Sequence, residues 1–462
     1  MFAKFKKKYI GDRAFYKRYI AIALPMIIQN FITNFVSFLD NIMVGRLGTE
    51  QMTGVAIINQ LYFVYSLAIF GVAGAGAIFG AQYFGKGDHK GHMHTFRFRL
   101  YLIAVVSIIA LSIFILGSDQ LISLYLTSGD GDSNPILTAM YAKEYMKIIL
   151  VGMIPFALTQ AYASVVKETG QTFVPMVAGI CGVVSNAILD FLLIFGIGPF
   201  PTLGVSGAAL ATVIARFIEA GIVVIWTHRH KEENLFLQGA FTGFGLPREL
   251  FNRMIIKGFP LMINEVLWAA GMTALTQSYS IRGLDVVAAI NISNTISNLF
   301  NIVFIQLGAC ISIIVGQYLG AGQLEEAKDA DNKMIFFSVA CCTVMAALML
   351  AVGHFFPMIY NTTDSIKRLA TAFIYVQALA MPFCSFSHCS YFTIRSGGKT
   401  FVTFLFDSVF TWAIMVPCAF CLAKFTAFGI VTVYFITSFT ELIKNVVGYI
   451  MIKSNVWLNQ IV

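Results

Sequence analysis

Gln82-Tyr83-Phe84-Gly85-Lys86-Gly87 recurs, shifted by 235 positions, as Gln317-Tyr318-Leu319-Gly320-Ala321-Gly322. The same shift carries Pro25, early in one long apolar segment, onto Pro260, early in another. A further pair follows in order: Lys167-Glu168-Thr169-Gly170-Gln171-Thr172 resembles Arg395-Ser396-Gly397-Gly398-Lys399-Thr400. Chance could produce any one short match, but their common order indicates two homologous halves.

The medium in which those halves fold follows from composition. The chain is 58% hydrophobic and 12% charged, with mean hydropathy +0.78, against roughly 25% charged residues in a soluble domain. Twelve apolar stretches approach or exceed the ~20 residues that cross a bilayer. They lie near 19–41, 52–83, 98–118, 137–165, 172–197, 204–226, 254–280, 286–318, 333–356, 368–394, 400–423 and 428–452. The expected fold is all-α and integral to the membrane: twelve transmembrane helices in two six-helix lobes. An even number of spans per half makes the repeats parallel, about a pseudo-twofold axis normal to the membrane. The expected division is a first lobe over 1–227, an interlobe linker over 228–253 and a second lobe over 254–462.

The net charge of +8 could suggest nucleic acid, but the placement of the charges argues against it. Most Lys and Arg fall in the N-terminal segment and the even-numbered connections. The other side carries only Arg46, Lys143, Lys147, Arg282, Lys367, Arg368 and Lys424. That bias predicts cytoplasmic termini for a multi-pass plasma-membrane protein. The first apolar segment runs into Asp40 without a small-residue cleavage site, so it does not read as a signal peptide.

Several features that resemble chemistry read as packing. All eight cysteines fall in predicted spans without a polar cluster, as small apolar fillers. Gly71, Gly74, Gly76 and Gly80 lack the Lys-Ser/Thr of a phosphate loop and predict close helix contact. His89, His92 and His94 read as a solvated charged turn. No catalytic Ser/His/Asp set is evident, and the expectation is a non-enzyme without a cofactor.

Charged residues within the spans carry more information. A carboxylate at mid-bilayer costs at least ~2.5–3.5 kcal/mol, so it normally faces a partner or a wet cavity. Asp40 ends the first span beside Asn41. Asn186 and Asp190 sit at i and i+4, on one helical face. An amide oxygen and a carboxylate so placed can coordinate a hard cation or hold a proton; an interhelical hydrogen bond is the plainer alternative. Glu265, among Leu261, Met262, Val266 and Trp268, suits a proton carrier or a contact for a cationic substrate. His388 could titrate, but a lone histidine beside Ser387 and Cys389 is more often a structural hydrogen bonder, and Asp407 is ambiguous. Aligning Gly204 with Gly429 sets Arg216 on Glu441 and Glu219 on Lys444. Each half then holds an i, i+3 pair that neutralises itself locally or pairs across the halves.

Phe38-Leu39-Asp40-Asn41-Ile42-Met43-Val44-Gly45-Arg46-Leu47-Gly48 resembles the first-helix motif of the multidrug and toxic compound extrusion (MATE) transporters. Asn186 to Asp190, Leu193-Ile194-Phe195-Gly196 and Gly204 through Thr212 resemble that family's fifth and sixth helices, and Pro260 with Glu265 its seventh. The resemblance covers almost the whole chain. It implies secondary antiport by alternating access: organic cations or drug-like compounds leave in exchange for Na+ or H+. It assigns the cation-coupling set to Asp40, Asn186, Asp190 and Thr212, with Na+ at Asp40, Asn186 and Asp190 the sole metal expected. Glu265 resembles a second-lobe acidic residue; some relatives also carry an acid in helix ten, but residues 368–394 hold none, and His388 is the only candidate there for a titrating substitute. The expected partners are an amphipathic cationic small molecule and the bilayer, with a monomer as the working unit. A lipid-linked precursor flippase of the related superfamily is the alternative; it should have a large basic central cavity, and few internal basic residues are visible.

Overall fold

A lipid-exposed backbone must satisfy its own hydrogen bonds, so long apolar segments become helices. The computed structural model describes residues 6, 8–126, 134–243 and 245–462, without the side chains of 38 and 41. Lys4 and Lys7 of the basic N-terminal segment, and the Asn41 side chain, lie outside the described residues. Twelve long helices occupy the expected spans: α1 Arg13–Gly45, α2 Thr49–Lys86, α3 His89–Leu116, α4 Pro135–Glu168, α5 Phe173–Phe195, α6 Gly204–Arg229, α7 Arg248–Ser280, α8 Leu284–Gly320, α9 Leu324–Gly353, α10 Asp364–Ser396, α11 Thr400–Phe425 and α12 Ile430–Lys453. Eleven are long and apolar enough to cross a membrane by those criteria alone. The exception, α7, spans 33 residues but is diluted by Arg253, Lys257, Asn264 and Glu265. Among the described residues there is no strand.

Local chemistry explains the helix ends. Asn134 caps α4, its side chain accepting the Ile136 N–H at 3.0 Å, and Pro135 takes the first turn, where a missing N–H costs nothing. The repeated motifs end on matching glycines: Gly87 and Gly322 have φ of 76° and 73°, and Gly170 and Gly398 have 88° and 72°. Each occupies the left-handed conformation that ends a helix and that side chains with a Cβ disfavour. Helix α11 widens into π turns over Leu405–Val409 and Thr411–Met415, directly before Pro417, which cannot donate its backbone bond. Helix α12 breaks at Thr440, between Ile430–Phe439 and Glu441–Lys453.

The chain packs into two units. One comprises Ile28–Gly80 and His89–Asn252; the other comprises Met1–Ile27, Ala81–Asp88 and Arg253–Val462. Thus α1 and α2 each contribute to both. In the first unit, the α2 glycines seat a buried ion pair of Arg99 and Glu168: a Cβ at Gly76 would lie 2.3 Å from Arg99 Nε. This close packing follows the small-residue reading. The solvated histidine turn is corrected. His92 and His94 are buried on the first turns of α3, and His92 lies 3.4 Å from Glu168; only His89 is exposed. In the segment after α6, Asn234 and Phe236 are fully buried.

In the second unit, Tyr19, Ile22 and Met26 of α1 pack with Leu307 and Ile311 of α8 and with Trp457. The repeated motifs meet there reciprocally. A Cβ at Gly85 would lie 1.9 Å from the Gln317 carbonyl oxygen, and one at Gly320 would lie 1.9 Å from that of Gln82. Only glycine permits α2 and α8 to cross at backbone contact.

Candidate functional site

In the first unit the charged and polar residues of α5 and α6 face one another. Asp190 is fully buried, and among the described residues neither of its carboxylate oxygens accepts a hydrogen bond of standard geometry, with the Asp40 carboxyl and the Asn186 amide in looser side-chain reach. Its neighbours are the half-buried Asp40 carboxyl of α1 and the Asn186 amide one turn back. Asn186 Nδ2 approaches Thr212 Oγ1 at 3.4 Å, while the Thr212 hydroxyl donates to the Ala208 carbonyl at 3.0 Å. Tyr145 of α4, which the sequence reading missed, stands within electrostatic reach of both aspartates and donates its hydroxyl to Asn59 Oδ1 at 3.2 Å. Two carboxylates, an amide and a hydroxyl form a donor set of hard oxygens.

Beside this cluster lies a cavity of about 80 Å³, lined by Thr33, Ser37, Asn186, Thr212, Arg216 and Glu219 among others. That is room for several waters. Thr212, Arg216 and Glu219 recur at i, i+4 and i+7, so α6 turns one polar face inward. Arg216 pairs with Glu219 at 3.2 Å and lies over the Phe156 ring at 4.9 Å. Phe156 in turn packs against Tyr62.

The second unit holds a different arrangement. Asp407, on the π-widened part of α11, is its centre. Lys444 donates to one Asp407 oxygen at 2.8 Å and Asn264 Nδ2 to the other at 3.2 Å. Lys444 also lies 3.5 Å from Glu441 and 5.3 Å from the Phe406 ring centre. Ser408 donates to the Asn264 side chain at 2.7 Å. The self-paired reading of Glu441 and Lys444 was therefore incomplete, because Asp407 is the closer acid. Two sequence signals pointed to it: Lys444 needs a counter-charge, and Asp407 is the lone acid in α11. Glu265 is half-buried beside the fully engaged Asn264 and feels Arg395 and Asp407. His388 lies edge-on to Phe304 at 4.9 Å, within reach of the Lys444–Asp407 charges.

Comparison with known proteins agrees with this architecture. The MatE family model matches residues 25–192 and again 260–420, so its two copies start at Pro25 and Pro260. A probable multidrug resistance protein NorM of Thermotoga maritima is 23% identical over 90% of this chain and 87% of its own length. Multidrug resistance protein PmpM of Pseudomonas aeruginosa is 24% identical over 89% and 84%. The solved structure of a multidrug resistance MATE family transporter in an outward-facing conformation superposes with TM-score 0.85, covering 95% of both chains at 17% identity. A MOP superfamily transporter from Pyrococcus furiosus gives 0.81 over 95% of both chains at 18% identity. A family model covering both repeats and a shared twelve-helix, two-lobed fold lead to one conclusion: the chain belongs to the MatE family of membrane transporters.

Proposed function

We propose that this transporter is a secondary antiporter that exports amphipathic organic cations or drug-like compounds in exchange for Na+ or H+. The observation that carries the reading is Asp190, fully buried with a second carboxylate as neighbour and, among the described residues, no Lys or Arg paired with it. Like charges in a low-dielectric site repel, and a cation or proton between them removes that cost. Asp40, Asn186 and Asp190 offer Na+ oxygen ligands, with Thr212 holding the Asn186 amide; a proton needs only the carboxylates. Ion entry must favour one conformation over another, since an ion binding both equally shifts nothing. Glu265 and His388 stand ready as a substrate or proton contact in the second lobe. The moving bodies in this reading are the six-helix lobes 1–227 and 254–462, joined by 228–253. The termini face the cytoplasm, and one chain suffices.

The names of the relatives support drug export, and the bias of Lys and Arg supports the orientation. The test is efflux of a fluorescent organic cation from proteoliposomes, with sodium and proton gradients imposed separately. One gradient should accelerate efflux in the wild type and have no effect in Asp190→Asn. Equal acceleration in the variant would refute the site; no acceleration of several substrates by either ion would refute antiport.

A further inference from the structure

The segments that follow the sixth helix of each repeat behave differently. After α6, residues 230–243 stay with their own half. Arg97 of α3 donates to the carbonyls of Gly239, Ala240 and Gly245 at 2.5, 2.9 and 2.7 Å, and Phe236 is fully buried. After α12, Ser454–Val462 reaches into the other half. The fully buried Gln82 of α2 donates its amide to the carbonyls of Ser396 at 2.9 Å and Asn459 at 3.2 Å. Its side-chain oxygen accepts the Ile461 N–H at 2.8 Å. Gln460 donates to the Gly320 carbonyl at 3.0 Å, and Arg253 of α7 to that of Ile461 at 2.5 Å. A Cβ at Gly397 would lie 1.9 Å from the Trp457 carbonyl oxygen, and Trp457 itself is fully buried. Four helix ends therefore converge on one nine-residue segment.

We infer that Ser454–Val462 is a strap that clasps the repeat-motif end of α2 to the ends of α7, α8 and α10, and must release for that end of the transporter to open. The inference rests on the lobe movement proposed above. Gln82 belongs to the first half and its partners to the second, so separating the halves there breaks all three of its bonds. A contact present in one state alone raises the population of that state. The hydrogen bonds from Arg97 hold the described residues after α6 to their own half.

Two experiments test the strap. Ser396, 1% exposed, becomes the reporter as Ser396→Cys, labelled by a membrane-impermeant maleimide from the α2–α3 side and read at that residue by mass spectrometry. Adding Gln82→Leu or Trp457→Ala should speed labelling by roughly tenfold or more, since three hydrogen bonds or a buried anchor are lost. Unchanged labelling would overturn the inference. This readout needs neither substrate nor gradient, so it stands apart from the antiport reading. If those variants fail to fold, Gln82→Cys with Ile461→Cys, bridged by a short bis-methanethiosulfonate, gives the second measurement. Bridging should arrest transport and reduction should restore it; full transport in verified bridged protein would overturn the strap.

Discussion

Asp190, fully buried, and Asp407, half-buried, are acids on the fifth helix of a repeat, beside a sixth helix that carries charge. Asp190 faces another carboxylate and pairs with no Lys or Arg among the described residues, whereas Asp407 has Lys444 on one oxygen and Asn264 on the other. No Lys or Arg among the described residues pairs with the first cluster's aspartates; the second cluster holds its own cation, the Lys444 ammonium. Gene duplication preserves helices because their spans and turns are local demands. It does not preserve electrostatics, which one substitution on a facing helix can reverse. In the proposed mechanism the first cluster responds to ions and the second holds its helices together.

The strongest challenge to that contrast is removal of the uncompensated acids. Asp190→Asn and Asp40→Asn should each abolish gradient-driven efflux in well-inserted protein. Because neutralising an unpaired buried charge removes a penalty, the melting temperature in detergent should hold or rise. Robust efflux in either variant would erase the difference between the clusters.

Asp407→Asn should do the reverse, destabilising the fold by about 1–3 kcal/mol, because Lys444 loses its closest acid but keeps Glu441 at 3.5 Å. Adding Lys444→Met should recover most of that loss, as apolar replacement of a whole buried pair often does. Thermal unfolding of single and double variants measures the coupling; a double variant as unstable as Asp407→Asn would show that Lys444 is not the reason.

Thr212→Val tests the support of Asn186. Losing a hydrogen bond worth about 1 kcal/mol should weaken ion-dependent activation several-fold, read as a shift in its half-maximal ion concentration, with stability nearly unchanged. Arg216→Gln should have the smallest effect on stability. Its side chain is 32% exposed, and a pair so open to solvent contributes at most about 1 kcal/mol. A larger loss would mean that the Phe156 stack, rather than Glu219, sets its value.

Much of this fold was legible residue by residue. Span positions followed from apolar length, and the repeat from Gln82–Gly87 and Gln317–Gly322, whose closing glycines are left-handed in both copies. Asn186 and Asp190 could be paired because i, i+4 spacing is a property of a single helix. Tyr145 could not be found this way: nothing in α4 marks which of its tyrosines turns toward Asp40. The histidines of α3 misled because a charged run normally stays in water, whereas here His92 meets Glu168 and the Phe236 ring in the interior.

The sequence alone therefore determined the membrane class, the twelve spans, the duplication and the acidic residues worth testing, since these depend on length, periodicity and backbone preference. Tertiary structure decided which charges meet. Asp407 finds Lys444 across 37 residues and Asn264 across 143; Trp457 is buried by helices from both halves; and α1 and α2 are shared between packing units. Those outcomes depend on how far each helix rotates and tilts against its neighbours, and packing against those neighbours sets that rotation.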